Sequence, residues 1–338
     1  MSEKPKFLIV CLRRIGDVLM STPMAASIRA TYPGAKIDWL VFESTAPILR
    51  NNPAADAVLI YADQPTFCET FSLLKSIFMR YDFSVSTQSG DRPTWMARIA
   101  ARRAFGLASQ ARGGRFRNLL MTGVSYPEGK LHRRDQILTL ATLMALVRSE
   151  RVLTPRPTAP LVISPATPYW VLHPGAAFRY KRWNDAGWRE LVNYLQSRGK
   201  IVLVSGGAAA EETRYLDTLF QGLEVTRLDG KLSWAELVAV ISKAEGYVGV
   251  DTSTTHLAAA LDIPVFAVYG PTDPVLWAPR PNQSALSVKV VQNHTIDCVP
   301  CQLEGCDRHI ESGSRCLDLL PAGAVIDQIE SAGQGRSE

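Results

Sequence analysis

Short β-rich runs alternate with helical stretches along the chain, stop, and then start again. That doubled alternation constrains the fold more than any single residue does. FLIVCL (7–12), KIDWLVF (36–42), AVLIYA (57–62) and FSVSTQ (83–88) read as strands, and VLMSTPMAASIRATY, STAPILRNN and ETFSLLKSIFMRY between them read as helices. Such alternation implies βαβ units and a parallel sheet covered on both faces. HRRDQILTLATLMALVRS (132–149) is predicted as one long helix that closes the first domain. TPRPTAPLVISPATP (154–168) then carries five prolines, the mark of a linker. Beyond it YWVLHP, IVLVSGG, YVGVD and VFAVYG restart the pattern, with helices between or after them. The predicted fold class is therefore α/β, with two Rossmann-like doubly wound domains facing a cleft. Their predicted limits are 1–155 and 169–338, joined by a proline-rich linker at 156–168, with the last helix free to pack back on the N-terminal domain. A length of 338 residues suits two cores and not one.

The bulk properties exclude several classes. A net charge of +5 is compatible with phosphate-bearing ligands, but the basic residues are dispersed. Nucleic-acid binding would need a concentrated basic stripe with stacking aromatics, so no nucleic-acid partner is expected. No apolar run reaches the length of a membrane span. The N-terminal apolar stretch is six residues long and is followed by Arg13, Arg14 and Asp17, which reads as a first strand and not as a signal peptide. A cytoplasmic protein with reduced cysteines is the expectation.

Ligands of open α/β sheets bind outside the carboxyl ends of the strands, so the loops that follow strands are where chemistry is sought. The first is RRIGD (13–17), where Asp17 reads either as a helix cap or as a general base facing the cleft. The second is HPGAAFRYKRW (173–183). Gly175, Ala176 and Ala177 let backbone N–H groups approach an oxyanion, and Arg179, Lys181 and Arg182 add positive charge, a combination suited to a diphosphate. The third is GVDTSTTHLAAALDIP (249–264). Asp251 ends a strand there, Thr252, Ser253 and Thr254 open a helix whose N-terminus attracts anions, and His256 lies one turn in. After IVLVSGG, Glu211 or Glu212 with Leu232 could hold a ribose diol and an apolar base face. The P-loop, G-x-G-x-x-G and G-x-S-x-G motifs are all absent. So is any Asp-x-Asp pair that would chelate a metal, which leaves cationic side chains and helix termini to stabilise a leaving group. Cys298, Cys301, Cys306 and Cys316 fall within 19 residues. That clustering suggests a structural zinc site, a redox-labile pair or simply packed thiols.

LRRIGDVLMSTPMAASIRATYPGAKIDWLV and VDTSTTHLAAALDIPVFAVYGPTDP resemble the glycosyltransferase family 9 heptosyltransferases of lipopolysaccharide core assembly. CVPCQLEGCDRHIESGSRCL is similar to a cysteine-rich tail of many members, and FESTAPILRNNPAAD and QSGDRP resemble the branch called heptosyltransferase III. The resemblance spans roughly residues 6–330. It implies a GT-B fold and an inverting transfer that needs no metal or other cofactor. The implied donor is ADP-L-glycero-D-manno-heptose, and the implied acceptor is a lipid-anchored core oligosaccharide reached by peripheral contact with the inner face of the inner membrane. Asp17 matches the general base, Lys181 the lysine on the donor phosphates, and Asp251, Thr252 and His256 the donor-binding turn. Glu211 lies near the acidic residue that holds the ribose. Ser253 departs from the Gly of many members. Arg92, His132, Arg133 and Arg134 are candidate contacts to acceptor phosphates, or else plain surface charge. Competing readings are a nucleotide-sugar epimerase of the same fold and a catalytically silent nucleotide-sugar-binding protein.

Overall fold

The computed structural model describes residues 4–108, 118–127, 129–157, 168–283 and 288–334. The chain divides into two compact units, Met1–Arg156 and Pro157–Glu338. Most of the proline-rich linker, residues 158–167, lies outside the described residues.

In the first unit β1 (Lys6–Cys11), β2 (Lys36–Phe42), β3 (Ala57–Tyr61), β4 (Tyr81–Ser86), β5 (Ala101–Leu107) and β6 (Gly123–Ser125) form one parallel sheet in the order β3-β2-β1-β4-β5-β6. β1 is buried on both faces, as a central parallel strand must be, which is why its sequence is an unbroken apolar run. Leu8 and Val10 pack with residues of α2 (Phe67–Ile77) and α3 (Asp91–Ala100), among them Ile77, Met96 and Ala97. α1 (Ile15–Thr31) and α4 (Arg133–Leu143) pack on each other.

The second unit repeats the plan. β7 (Tyr169–His173), β8 (Ile201–Val204), β9 (Thr226–Arg227), β10 (Gly246–Val250), β11 (Val265–Tyr269) and β12 (Val288–Gln292) are parallel in the order β12-β11-β10-β7-β8-β9. Counted from its own first strand, each sheet reads 3-2-1-4-5-6. The strand order therefore reverses between β1 and β4 in one unit and between β7 and β10 in the other, and such crossover points are where doubly wound sheets bind ligands. The longer helices of this unit are α5 (Asp185–Ser197), α6 (Ala210–Leu219), α7 (Trp234–Ile241), α8 (Ser253–Ala260) and α9 (Ala322–Gln334). Trp183 and Trp188 meet edge to face at 5.1 Å in its core, and the Trp183 indole N–H donates to the Leu320 carbonyl.

The last helix, α9, packs on α5, β11 and β12 of the second unit, where its apolar residues Val325 and Ile329 join that unit's core. Two expectations change. STAPILRNN forms a 3-10 helix over Glu43–Leu49, with Pro47 inside it. The helix predicted over 132–149 stops at Leu143, since Ala145 takes a positive φ of 53° that no α-helix continues through.

Candidate active site

At the crossover of the first sheet, Asp17 sits in the first turn of α1 and is 6% exposed. The N-cap of that helix is Arg14, so the capping reading of Asp17 does not hold. Its carboxylate lies between two guanidinium groups: Arg13 Nε is 3.5 Å from Oδ2 and Arg133 Nε is 3.5 Å from Oδ1. Both distances are those of an ion pair and not of a hydrogen bond, and Oδ1 is buried without a hydrogen-bond partner. Arg133 is anchored from behind by donation to the Thr87 carbonyl at 2.9 Å, just past β4. Thr87 in turn accepts from Ser21 of α1 at 3.1 Å, and Gln88 donates to the Leu12 carbonyl at 3.1 Å. The ends of β1 and β4 and the starts of α1 and α4 are thus tied together around one carboxylate.

The predicted acceptor contacts fall in different surroundings. Arg133 is buried against Asp17, and His132 is a buried N-cap of α4 whose Nδ1 accepts from the Arg134 N–H at 3.2 Å. Arg134 donates to the Glu150 carboxylate at 2.8 Å. Arg92 is exposed, with its guanidinium 5.7 Å from the Tyr61 ring centroid. Of the four, Arg92 is the one exposed to solvent.

At the crossover of the second sheet, Lys181 Nζ donates to Asp251 Oδ2 at 2.6 Å and the Thr272 hydroxyl donates to the same oxygen at 2.7 Å. Burial works against the Asp251 charge, but the Lys181 ammonium, the two hydrogen bonds and the nearby His256 together hold its carboxyl below the ordinary value. Lys181 closes the 3-10 turn Arg179–Lys181 that follows β7, so strand β7 positions the lysine and strand β10 its partner. Thr252 is the N-cap of α8 and makes no side-chain cap bond. The Thr255 hydroxyl is spent on the Val250 carbonyl at 2.5 Å. The first N–H groups of α8, beginning at Ser253, have no earlier turn to bond and lie just past the end of β10, as an anion site requires. His256 is buried one turn in, with its N–H bonded to the Thr252 carbonyl. Thr272, which follows β11, was not among the predicted site residues; its place after a strand end was the available signal.

The glycines of the adjacent loops serve a purpose other than the expected one. A Cβ on Gly175 would overlap the Glu212 carboxylate, and one on Gly206 or Gly207 would come within 3.0 Å or 2.8 Å of it. Glu212 also accepts from the Gly207 N–H at 3.0 Å. It thus folds into a cradle of three glycines at the ends of β7 and β8. Beside it His173 shares a 3.0 Å hydrogen bond with Ser205, and burial pulls that imidazole below its ordinary range against the Glu212 charge. Glu211 points away, 73% exposed and 3.4 Å from Arg182. Arg182 gives its Nε and Nη2 protons to the Ala176 carbonyl, both at 3.2 Å, so its charge braces the loop. Ala176 is buried, Ala177 exposed and Leu232 half-buried.

Cys298, Cys301, Cys306 and Cys316 are free thiols, and only Cys316 of the four is buried. Burial, and then the neighbouring Cys301 and Cys306, push the Cys316 thiol up to about 11. Among the described residues no three His, Cys, Asp or Glu side chains are gathered as metal ligands, so the zinc reading has no geometry behind it.

Comparison with known proteins accords with this architecture. The family model of glycosyltransferase family 9 (heptosyltransferase) matches residues 146–309. Lipopolysaccharide heptosyltransferase 3 of Escherichia coli is 28% identical over 309 residues, covering 80% of this chain and 85% of that protein. Lipopolysaccharide heptosyltransferase 1 of Pseudomonas aeruginosa is 28% identical over 352 residues, covering 96% and 97%. The structure of an E. coli heptosyltransferase solved with ADP superposes with a TM-score of 0.74 at 22% identity, covering 97% of this chain and 99% of that one, which shows the GT-B fold. The resemblance carried by the sequence motifs is thereby confirmed.

Proposed function

We propose that this glycosyltransferase family 9 chain transfers a heptose from ADP-L-glycero-D-manno-heptose to the inner-core oligosaccharide of lipopolysaccharide, with inversion and without a metal, at the cytoplasmic face of the inner membrane. The observation that carries the reading is the Lys181–Asp251–Thr272 group beside the N-terminus of α8. It fixes an ammonium and a row of N–H groups where a diphosphate would lie. Glu212, deep in its glycine cradle, is better placed than Glu211 for the ribose of the same donor.

In this mechanism Asp17 takes the proton of the acceptor hydroxyl as that oxygen bonds to the anomeric carbon. The bond from that carbon to the diphosphate breaks on the opposite face, and ADP leaves with the electron pair. Lys181 and the α8 N-terminus stabilise the charge that grows on the departing oxygen. Arg13 and Arg133 hold the base at ion-pair distance and orient it. Ala176, Ala177, Leu232, Thr252, Ser253 and His256 would complete the donor site, and Arg92 the acceptor contact.

Incubation with ADP-heptose and a heptose-deficient core lipid should add the mass of one heptose to the lipid, with undiminished rate in EDTA. Release of free sugar with no mass gain would favour an epimerase or hydrolase instead. Loss of transfer in chelator, restored by magnesium, would remove the metal-independent mechanism.

A further inference from the structure

Helix α2 opens with a capping box in which Thr66 and Glu69 satisfy each other's backbone N–H groups, so its start is fixed locally. It buries only Ile77 fully. Phe67 is 85% exposed, Phe71 62% and Phe78, at the helix cap, 63%. At about 100° per residue, positions 67, 71 and 78 fall on one narrow stripe along a helix roughly 16 Å long. A single exposed phenylalanine is ordinary, but three in a row form a patch that marks a contact surface.

The charge beside the stripe is positive. Lys75 flanks it, and the chain runs from Phe78 through Met79 and Arg80 into a recess of about 640 Å³ that Lys4, Lys6 and Lys36 also line. Asp56 and Asp82 line the same recess, where Lys4, Lys6, Lys36 and Arg80 outnumber them. Asp56 pairs with Arg29, and Lys36 lies 3.6 Å from Asp38. The Lys4 and Lys6 ammonium groups pair with no carboxylate among the described residues.

We propose that the α2 stripe and the lysine-lined recess at its end form the surface by which this chain docks on an anionic lipid bilayer, a proposal that rests on the reading that its acceptor is lipid-anchored. Phenylalanines on one helix face with lysine and arginine at the rim suit the boundary between acyl chains and anionic headgroups.

Sedimentation with phosphatidylglycerol-rich vesicles tests the idea. Wild type should pellet with them, pellet far less with phosphatidylcholine vesicles, and be released as salt rises. Phe71→Ser combined with Phe78→Ser should weaken partitioning by at least ~10-fold. Lys75→Glu with Arg80→Glu should erase the preference for anionic lipid. Both variants should keep wild-type transfer to a deacylated, water-soluble core acceptor, which shows that they fold. Wild-type vesicle binding by either variant overturns the proposal, as does absence of wild-type binding. A wild-type dimer in ultracentrifugation that the phenylalanine variant loses would assign the stripe to self-association and overturn it too. If wild type binds anionic vesicles but fails to glycosylate the soluble acceptor, the transfer reading falls and the docking surface stands.

Discussion

Asp17 and Asp251 both lie at the crossover of a sheet with strand order 3-2-1-4-5-6, one after the first strand of its unit and the other after the fourth strand of its own. Both are more than nine-tenths buried, yet they are held in opposite ways. Asp251 receives two short hydrogen bonds on one oxygen, from Lys181 and Thr272. Asp17 has two arginine nitrogens at 3.5 Å and one oxygen with no hydrogen bond. A buried carboxylate with short, charge-assisted bonds is a structural strut, because any proton it took up would cost those bonds. On our reading Asp17 is the chemical member of the pair and Asp251 the positioning one, each beside the crossover of its own sheet.

The largest effect should come from breaking the chemical member of the pair. Asp17→Asn should lower kcat by at least ~100-fold, the usual scale for a lost general base, with ADP affinity unchanged by calorimetry. Near-normal turnover would reduce Asp17 to a partner for Arg13 and Arg133. Arg133→Ala should fall between, lowering kcat about tenfold with little change in KM, and Arg133→Lys should restore part of the loss.

Breaking the strut should look different. Lys181→Met should weaken ADP binding by roughly tenfold or more and slow transfer as well, since the ammonium matters most as the diphosphate leaves. It also strands a buried carboxylate, at a cost on the order of 3 kcal/mol at neutral pH. The pH dependence should change sign. In wild type the Asp251 carboxyl is held below 3.8, so its contribution is complete above that value and is lost as the pH falls through the lower folded value. Without Lys181, burial dominates and the folded value rises above 3.8, so acid should relieve the variant. Melting curves at pH 7 and pH 4.5 should therefore converge for the two proteins at the lower pH. A constant gap would mean that Lys181 is not the group that holds Asp251 ionised.

The strut and the base differed in how much of each could be read beforehand. Strand–helix alternation located most central strands because fully buried parallel strands are apolar throughout. It missed β5, whose Arg102 and Arg103 face solvent and break the run. Asp17, Lys181 and Asp251 could be placed after strand ends from sequence because strand-to-helix loops are short and local. The partners were not found, since Arg133 reaches Asp17 and Thr272 reaches Asp251 across long stretches of chain. Sequence could read Arg133 only as an acceptor contact or as surface charge, because a charge's partner is decided by the sheet order. The cysteine spacing left a metal, a redox pair and packed thiols open, and among the described residues no three such side chains are gathered as ligands.

The smallest effects should separate two neighbouring acids on α6. Residues adjacent on a helix point about 100° apart, so one can face the strand ends while the next faces solvent. The cap of this helix is Ala209, which puts Glu211 and Glu212 both in the first turn, where sequence offers no way to choose between them. The structure turns Glu212 inward against Gly175, Gly206 and Gly207 and leaves Glu211 with a long, exposed contact to Arg182. An exposed ion pair of that kind contributes ~0–1 kcal/mol, and Arg182 keeps its two bonds to the Ala176 carbonyl without it. Glu212→Gln should therefore weaken ADP about tenfold, roughly 1.4 kcal/mol, because a ribose diol needs an acceptor that bears charge. Glu211→Ala should change ADP affinity by less than about twofold and leave melting nearly unmoved. Titration calorimetry on both variants distinguishes them. If Glu211→Ala proves the more damaging, the ribose lies over the outer face of α6, and the glycine cradle only shapes the loop.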